Sequence, residues 1–419
     1  MNHAADHAAD TLGDGLSPLA VARPESIEQL CDVVKTRAVE GTPLFPQGGR
    51  TSLDYGGIPD AAGVALDLRG LARVVDYPAA DMTITVEAGV TLASLQDVLA
   101  REGQRLLIEA PRDAEATLGG IYATNTSGPR RFGAGRPRDQ IIGVSFVNAA
   151  GEVIKGGGRV VKNVAGYDLP KLLTGSMGTL GAIAQLTLKV RPVPEASALV
   201  WGTVAAIEQV AALLDALNTS ATRPIAVELL NEQASRRVAD GLDLPHGAWT
   251  LVVGFEDNAK SVAWQVARIK EEWAGRASAL ATLENAASTP LWAALTNFAD
   301  AAPGDVSILA NLRPSAAAAF AALLDASRWE VGAHAGSGIV RAHLAVATTL
   351  EVLAPEVETL RARAVADGGN LTLPRCPTAW KKRLGVWGAP RADWEICRRV
   401  KAALDPGRVF NPGRFVGGI

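Results

Sequence analysis

Residues 111–192 read PRDAEATLGGIYATNTSGPRRFGAGRPRDQIIGVSFVNAAGEVIKGGGRVVKNVAGYDLPKLLTGSMGTLGAIAQLTLKVRP, and the fold is decided here. Glycines recur at short, irregular intervals among small polar residues, as in TLGG, ATNTSG and TGSMGTLG. Glycine has no Cβ, so it allows positive φ and lets backbone N–H groups come close to a ligand. Runs of such N–H groups make concave anion sites. Between the loops, IIGVSFVNA and GAIAQLTLKV read as strands that hold the loop ends in place. Such a scaffold suits a large phosphate-bearing cofactor; a glycine-rich β domain with ordinary turns is the alternative. Gly156, Gly157 and Gly158 read as a hairpin turn between strands rather than as a ligand loop. No G-x-G-x-x-G follows a strand with an acid about twenty positions on, and no G-x-x-x-x-G-K-[ST] occurs, so Rossmann and P-loop sites are unsupported.

Upstream, PESIEQLCDVVKTRAVEG reads as a helix. Ser26 with Gln29 fits a capping box, Ile27, Leu30, Val33 and Val34 form one apolar face, and Gly41 can end it. TPLFPQGGRTS then passes from an apolar run into a polar glycine loop, where backbone N–H groups, two hydroxyls and a guanidinium can converge on a dianion. Standing alone, that loop would more often be a plain turn. Thr91 caps a second helix with Leu92, Leu95, Val98 and Leu99 at helical spacing.

GGIYATNTSG, the RFGAG…RDQIIGV run, KNVAGYDL and GSMGTLG, in that order, resemble the FAD-binding domain of the vanillyl-alcohol oxidase and p-cresol methylhydroxylase (PCMH) superfamily. Within it, RVVKNVAGYDLPKLLTGS is most similar to the FAD-binding E subunits of glycolate oxidases. The resemblance implies an α+β fold: a PCMH-type FAD-binding domain of two α/β subdomains over 17–194, an α+β cap over 195–392, and a segment returning to the FAD domain over 393–419. Residues 1–16 are expected to be a frayed tail. The family's pyrophosphate loop maps onto Pro46, Gln47, Gly48, Gly49, Arg50, Thr51 and Ser52. Pro111 would cross the flavin edge. Thr117, Gly119, Gly120, Thr124, Asn125 and Gly128 would contact the flavin side, with backbone contacts from Ile183 and the closing loop bringing Asn411 near the cofactor. No His stands in PQGGRTS, the usual place for a covalent link, so the FAD is expected to be non-covalent.

Whole-chain properties narrow the rest. The chain has 419 residues, enough for two or three domains, and 48% are hydrophobic, so a sizeable core can be buried. A net charge of −3 gives no electrostatic case for nucleic acid. Cys31, Cys376 and Cys397 cannot supply the four thiolates an iron–sulfur cluster usually takes, nor do they suggest a disulfide framework. No apolar run approaches the roughly eighteen residues of a membrane span, and the first residues lack the pattern of a signal peptide. A cytoplasmic protein, held at the inner membrane only through partners, is the expectation.

Past Pro192 and Pro194, glycine loops give way to alanine-rich helices alternating with strands such as PIAVELL and WTLVVGF. In GAHAGSGIVRAHLAV, strand alternation puts Arg341 and His343 on one face with Val340, Ala342 and Leu344 opposite. Arg and His side by side suit a 2-hydroxy acid, one for the carboxylate and one as base for the hydroxyl. His334 lies just upstream in a glycine turn; local hydrogen bonding is the plainer role for either His. Arg130, Arg131, Arg136 and Arg138 crowd one loop, which can be solvated, hold an anion, or dock an acidic partner.

The metal motif of the catalytic relatives, approximately H…GDGN…H with a later E-H-G-I-G, is not matched by HAGSGIVRAH and GGNLTLPRCPTAWKKR, so no divalent metal site is expected. The implied function is the FAD-binding subunit of a glycolate oxidase complex: glycolate oxidised to glyoxylate by hydride transfer to flavin, beside a homologous FAD-linked catalytic subunit, with electrons passing to an iron–sulfur subunit. Two alternatives stay open: a non-catalytic flavin-binding or assembly subunit, and a stand-alone FAD-dependent alcohol or 2-hydroxy-acid oxidase.

Overall fold

Ser26 and Gly41 bracket the first helix as the sequence predicts. The helix spans Ile27–Glu40, Ser26 Oγ accepts from the Gln29 N–H at 3.2 Å, and Gly41 ends it in the left-handed region at φ 66°. Leu30 and Val34 are buried against a three-stranded parallel sheet of Ala20–Ala22, Val64–Asp67 and Leu44–Gln47, with Val64–Asp67 in the middle. The computed structural model describes residues 10–159, 166–300 and 302–419. Val160 and Val161, with the KNVA of KNVAGYDL, lie outside them.

A second sheet of five antiparallel strands follows, in the order Val74–Asp76, Thr83–Glu87, Ala182–Lys189, Ile141–Val147, Val153–Gly157. Helices Leu92–Ala100 and Leu118–Thr124, capped by Thr91 and Thr117, close its core over Ile84, Val86, Leu186 and Leu188. The glycine triplet is not the expected hairpin turn. Gly156 and Gly157 end the strand Val153–Gly157, and the turn is made at Asn148–Glu152, where Asn148 Oδ1 accepts from the N–H groups of Ala150 and Glu152. The Asn148 side chain satisfies the turn's backbone, and Gly151, at φ 73°, supplies its left-handed residue.

The cap is built on an eight-stranded antiparallel sheet, in the order Ala279–Glu284, Ala196–Val204, Trp249–Asp257, Ala226–Asn231, Trp329–His334, Ile339–Leu344, Ser307–Asn311, Asn370–Arg375. Helices Ile207–Thr219, Ala259–Trp273, Ala317–Ala321 and Leu350–Ala366 cover one face with a continuous apolar core. On the other face, Glu232–Val238 and Thr289–Asn297 cover Leu199, Trp201, Leu230 and Val252. The remaining half of that face looks towards the FAD-binding unit.

The C-terminal helix Asp393–Leu404 returns to that unit. Buried Lys401 donates to Asp405 Oδ2, the Thr179 carbonyl and the Phe410 carbonyl at 2.6, 2.7 and 2.8 Å. The expected frayed tail does not extend over residues 10–16; residues 1–9 lie outside the described ones. Leu12 is 2% exposed beside Phe45 and Ala65, and Asp14 meets Lys381 Nζ at 2.6 Å and Arg414 Nη1 at 2.7 Å. Two buried cations need a buried anion, which orders a segment whose polar composition suggests fraying.

Candidate active site

Two cavities adjoin, one within the FAD-binding unit and a larger one between that unit and the cap. The narrower one is a cradle, lined on one side by Pro46, Gln47, Gly48, Gly49, Arg50, Thr51 and Ser52. Thr117, Gly119, Gly120 and Thr124 line its second side, and Gly178, Ile183 and Asn411 close it. The larger cavity, about 1220 Å³, shares Gly49–Leu53, Tyr55, Gly120 and Thr124 with the cradle and adds Pro111, Asn125 and the polar face of the cap sheet. The structure thus brings together every expected cofactor residue except Gly128. That glycine lies against Glu109, where a Cβ would stand 2.7 Å from the Glu109 Cβ, and its backbone carries the Arg130–Arg131 loop.

The cradle fits FAD on its own terms. A Cβ at Gly48 would lie 1.9 Å from Thr117 Oγ1, and one at Gly49 would lie 1.7 Å from the Glu115 carbonyl oxygen. Both positions therefore admit only glycine without a shift of the loop. Gln47 Oε1, Arg50 Nε and Asn125 Oδ1 are buried without a protein partner. Buried polar atoms are ordinarily satisfied, so orphans around a cradle mark contacts reserved for a polar ligand. Asn411 is fixed by donating from Nδ2 to the Met177 carbonyl at 2.7 Å.

The cap lines the larger cavity with polar side chains. Strand pairing sets Glu228 opposite His334, His334 opposite Ile339, and Ser307, Leu309 and Asn311 opposite His343, Arg341 and Ile339. Directly opposed residues share a face, so Glu228, His334, Ile339, Arg341, His343 and Ser307 all stand on the side away from the core that holds Val340 and Ala342. The predicted alternation at Arg341 and His343 is the observed one.

The expected base is nevertheless displaced. His343 is fully buried and lines neither cavity: Nε2 donates to the Phe298 carbonyl at 2.7 Å and Nδ1 accepts from the Ser307 hydroxyl at 2.7 Å. Gly332, opposite Arg341, explains why. Without a side chain there, the Phe298 ring lies on the sheet (a Cβ at 332 would stand 2.6 Å from it), and its centroid sits 4.8 Å from the His343 ring. Burial, with Arg341 nearby, holds the imidazole down at about 3. The unfolded chain takes up this proton near 6.5 and the folded chain does not, so His343 contributes stability above that pH, and the contribution is lost as pH falls. At pH 5 the loss relative to pH 8 is about 2 kcal/mol. Urea unfolding of the wild type and His343→Gln should diverge by that order between these pH values; parallel pH profiles would contradict it.

His334 does line the larger cavity. Its Nδ1 stands 2.8 and 2.9 Å from the two Glu228 carboxylate oxygens, and Glu228 is 4% exposed, its carboxyl pushed up by burial and pulled back by His334. A carboxylate accepts from Nδ1–H, which leaves Nε2 as the free basic nitrogen. Arg341 and Tyr55 also line the cavity; burial raises the Tyr55 phenol, with Arg341 acting in the opposite sense, so the phenol is a neutral donor. Glu228 and Tyr55 were not singled out from the sequence, although an acid within the apolar run PIAVELL was a readable signal. The arginine loop divides by role. Arg130 bridges the units through Glu109 and Glu256 and lies 3.6 Å over Trp292, Arg131 and Arg136 line the cavity, and Arg138 is exposed. Among the described residues, no three His, Cys, Asp or Glu side chains converge as a metal-binding group.

A family model described as an FAD binding domain matches residues 18–157, and one described as the C-terminal domain of FAD linked oxidases matches 193–372 and 381–415. The chain is 25% identical to a D-2-hydroxyglutarate dehydrogenase of Xanthomonas citri pv. viticola, over 95% of this chain and 89% of that one. It is 37% identical to the glycolate oxidase subunit GlcE of Escherichia coli, over 41% of this chain and 48% of that one. A solved alkyldihydroxyacetonephosphate synthase superposes with a TM-score of 0.66 at 16% identity, over 94% of this chain and 77% of that one, a likeness of fold. With the cradle, its orphaned polar atoms and both matched segments in chain order, this protein belongs to the FAD-linked oxidase family and is an FAD-dependent oxidoreductase.

Proposed function

We propose that this protein oxidises a 2-hydroxy acid at its α-carbon, with Arg341 holding the carboxylate and His334 removing the hydroxyl proton. The observation that carries the reading is the Glu228–His334 pair on the cavity face of the cap sheet, one strand from Arg341. His334 and Arg341 are diagonal neighbours on adjacent strands, a spacing of about 7–8 Å between backbones that a short hydroxy acid can bridge. Bound FAD supplies the two-electron acceptor. The protein's own part is to orient the acid, to take its proton on His334 Nε2, and to stabilise the imidazolium through Glu228. Relatives named as a glycolate oxidase subunit and a D-2-hydroxyglutarate dehydrogenase support the substrate class.

Glycolate is the smallest acid with this core, and we place its oxidation to glyoxylate in a multi-subunit complex. Electrons leave to an iron–sulfur partner, beside a homologous FAD-linked subunit. Cys31 and Cys397 stand in separate helices and Cys376 in the connection after the strand Asn370–Arg375, and burial pushes the Cys376 thiol up to about 11, so these residues favour a partner-borne cluster. Among the described residues no helix is long and apolar enough to cross a membrane, and we place the complex in the cytoplasm, reaching the membrane only through partners.

Arg341 gives the direct test. Its guanidinium is desolvated and no carboxylate lies within ion-pair distance among the described residues. Arg341→Met should weaken binding of glyoxylate, which leaves the flavin oxidised, about ten- to a hundred-fold, as loss of a charge-assisted contact to a buried anion does. Titration of the oxidised flavin spectrum measures this; unchanged affinity removes Arg341 from the substrate site.

A further inference from the structure

Eight arginines line the larger cavity, and six already have a carboxylate. Arg50 is on Asp10, Arg23 and Arg69 share Asp67, Arg112 and Arg375 share Asp300, and Arg136 faces Asp139. Arg341 and Arg131 have no such partner among the described residues. Arg131 makes a single side-chain donation, from Nη1 to Ser127 Oγ at 3.0 Å, which leaves most of its five donors unused. Glu228, the acid whose charge reaches Arg131, has both oxygens on His334, and Asp139 is occupied by the Arg136 backbone N–H at 2.8 Å.

The two free guanidinia lie on opposite sides of the base. Arg131 begins the short helix Arg131–Ala134, which packs against the strand Ala226–Asn231 and the turn Ala335–Ser337; this is the Glu228 side of His334. Arg341 stands on the next strand in the other direction. Desolvating two cations in one cavity is costly unless anions arrive there, and a single carboxylate can neutralise only one of them. Taking the His334–Arg341 reading as its basis, we propose that the preferred substrates are 2-hydroxy acids bearing a second carboxylate, with the 1-carboxylate on Arg341, the 2-hydroxyl at His334 and the distal carboxylate on Arg131. Glycolate and other monocarboxylates then fill the Arg341 end alone.

The probes are 2-oxoglutarate and 2-oxovalerate, product-like acids of equal chain length that differ in the terminal carboxylate and leave the flavin oxidised. Isothermal titration of the FAD-loaded protein should show 2-oxoglutarate binding at least about tenfold more tightly. Arg131→Met should erase that preference while leaving 2-oxovalerate affinity unchanged, and Arg131→Lys should keep part of it. Arg341→Met should weaken both acids. Equal affinities in the wild type, or an Arg131→Met variant that weakens both acids alike, would overturn the dicarboxylate assignment, while the His334–Arg341 reading stands as long as Arg341→Met weakens 2-oxovalerate. If Arg341→Met changes neither acid, that reading fails and the assignment falls with it. Should Arg131→Met lose FAD, the wild-type comparison and the Arg131→Lys variant decide alone.

Discussion

Replacing His334 by Gln is expected to slow reduction of the bound flavin by about two to four orders of magnitude, with substrate affinity changed little. The imidazole is the titratable side chain that faces the cavity with its second nitrogen already held by a carboxylate. Glu228 fixes the ring and its tautomer, and its charge offsets the imidazolium that forms as the hydroxyl proton leaves. Proton removal matters in the transition state and not in the ground state, so the effect falls on the rate and not on binding. Glu228→Gln should lie between, slowing reduction by about tenfold or more, because the ring stays hydrogen-bonded but the imidazolium loses its counter-charge. Anaerobic stopped-flow reduction over a range of 2-hydroxy acid concentrations separates the limiting rate from the apparent Kd. A His334→Gln variant that reduces at the wild-type limiting rate would remove His334 as the base. His343→Gln serves as the contrast: its ring is sealed beneath Phe298, so its limiting rate should change far less than that of His334→Gln.

The second large effect is expected at Gly49. Gly49→Ala should cut FAD content of the purified protein more than about tenfold, although alanine adds a single methyl group. The reason differs from a simple collision with the cofactor. The new Cβ would fall 1.7 Å from the Glu115 carbonyl oxygen, a backbone atom that cannot swing aside, so the Gln47–Ser52 loop must move off the Thr117 side of the cradle. The neighbouring contact at Gly48, 1.9 Å from Thr117 Oγ1, leaves no slack in that direction. The flavin-to-protein absorbance ratio gives the occupancy, and far-ultraviolet circular dichroism checks that the cap sheet is intact. Wild-type occupancy in this variant would rule out the loop as the cradle's wall. From the wild type, acid precipitation should release the flavin into the supernatant, since neither His nor Cys lines the cradle; flavin remaining on the polypeptide would contradict non-covalent binding.

Much of this was legible before any coordinates because it depends on neighbours in the chain. Ser26, Gly41 and Thr91 act within four residues of themselves, through caps and positive φ. The glycines of PQGGRTS are required where that loop approaches Glu115 and Thr117 closely, and the motif order carried the FAD-binding family. The alternation of Ile339–Leu344 was likewise local, because a strand turns successive side chains to opposite faces whatever surrounds it.

What local pattern could not decide is which of the residues on that face meets the cavity. Arg341 and His343 share the face, but Phe298, lying in the space left by Gly332, seals one and not the other. Glu228 comes to His334 from 106 positions away, and Asp14 to Arg414 from 400. Among the described residues Arg131 and Arg341 have no ion pair, while the acids whose charge reaches them are engaged elsewhere: Glu228 by His334 and Asp139 by Arg136 near Arg131, and Asp300 by Arg112 and Arg375 near Arg341. Sheet register and domain packing set those pairings, and burial then fixes their consequences: a neutral His343, a desolvated Arg341 and a His334 that lines the cavity with Nδ1 held by Glu228. Sequence alone determined the cradle and the face, through short-range geometry. Tertiary structure decided which histidine lines the cavity and which arginines there lack a carboxylate, because desolvation and long-range pairing exist only once the chain has closed on itself.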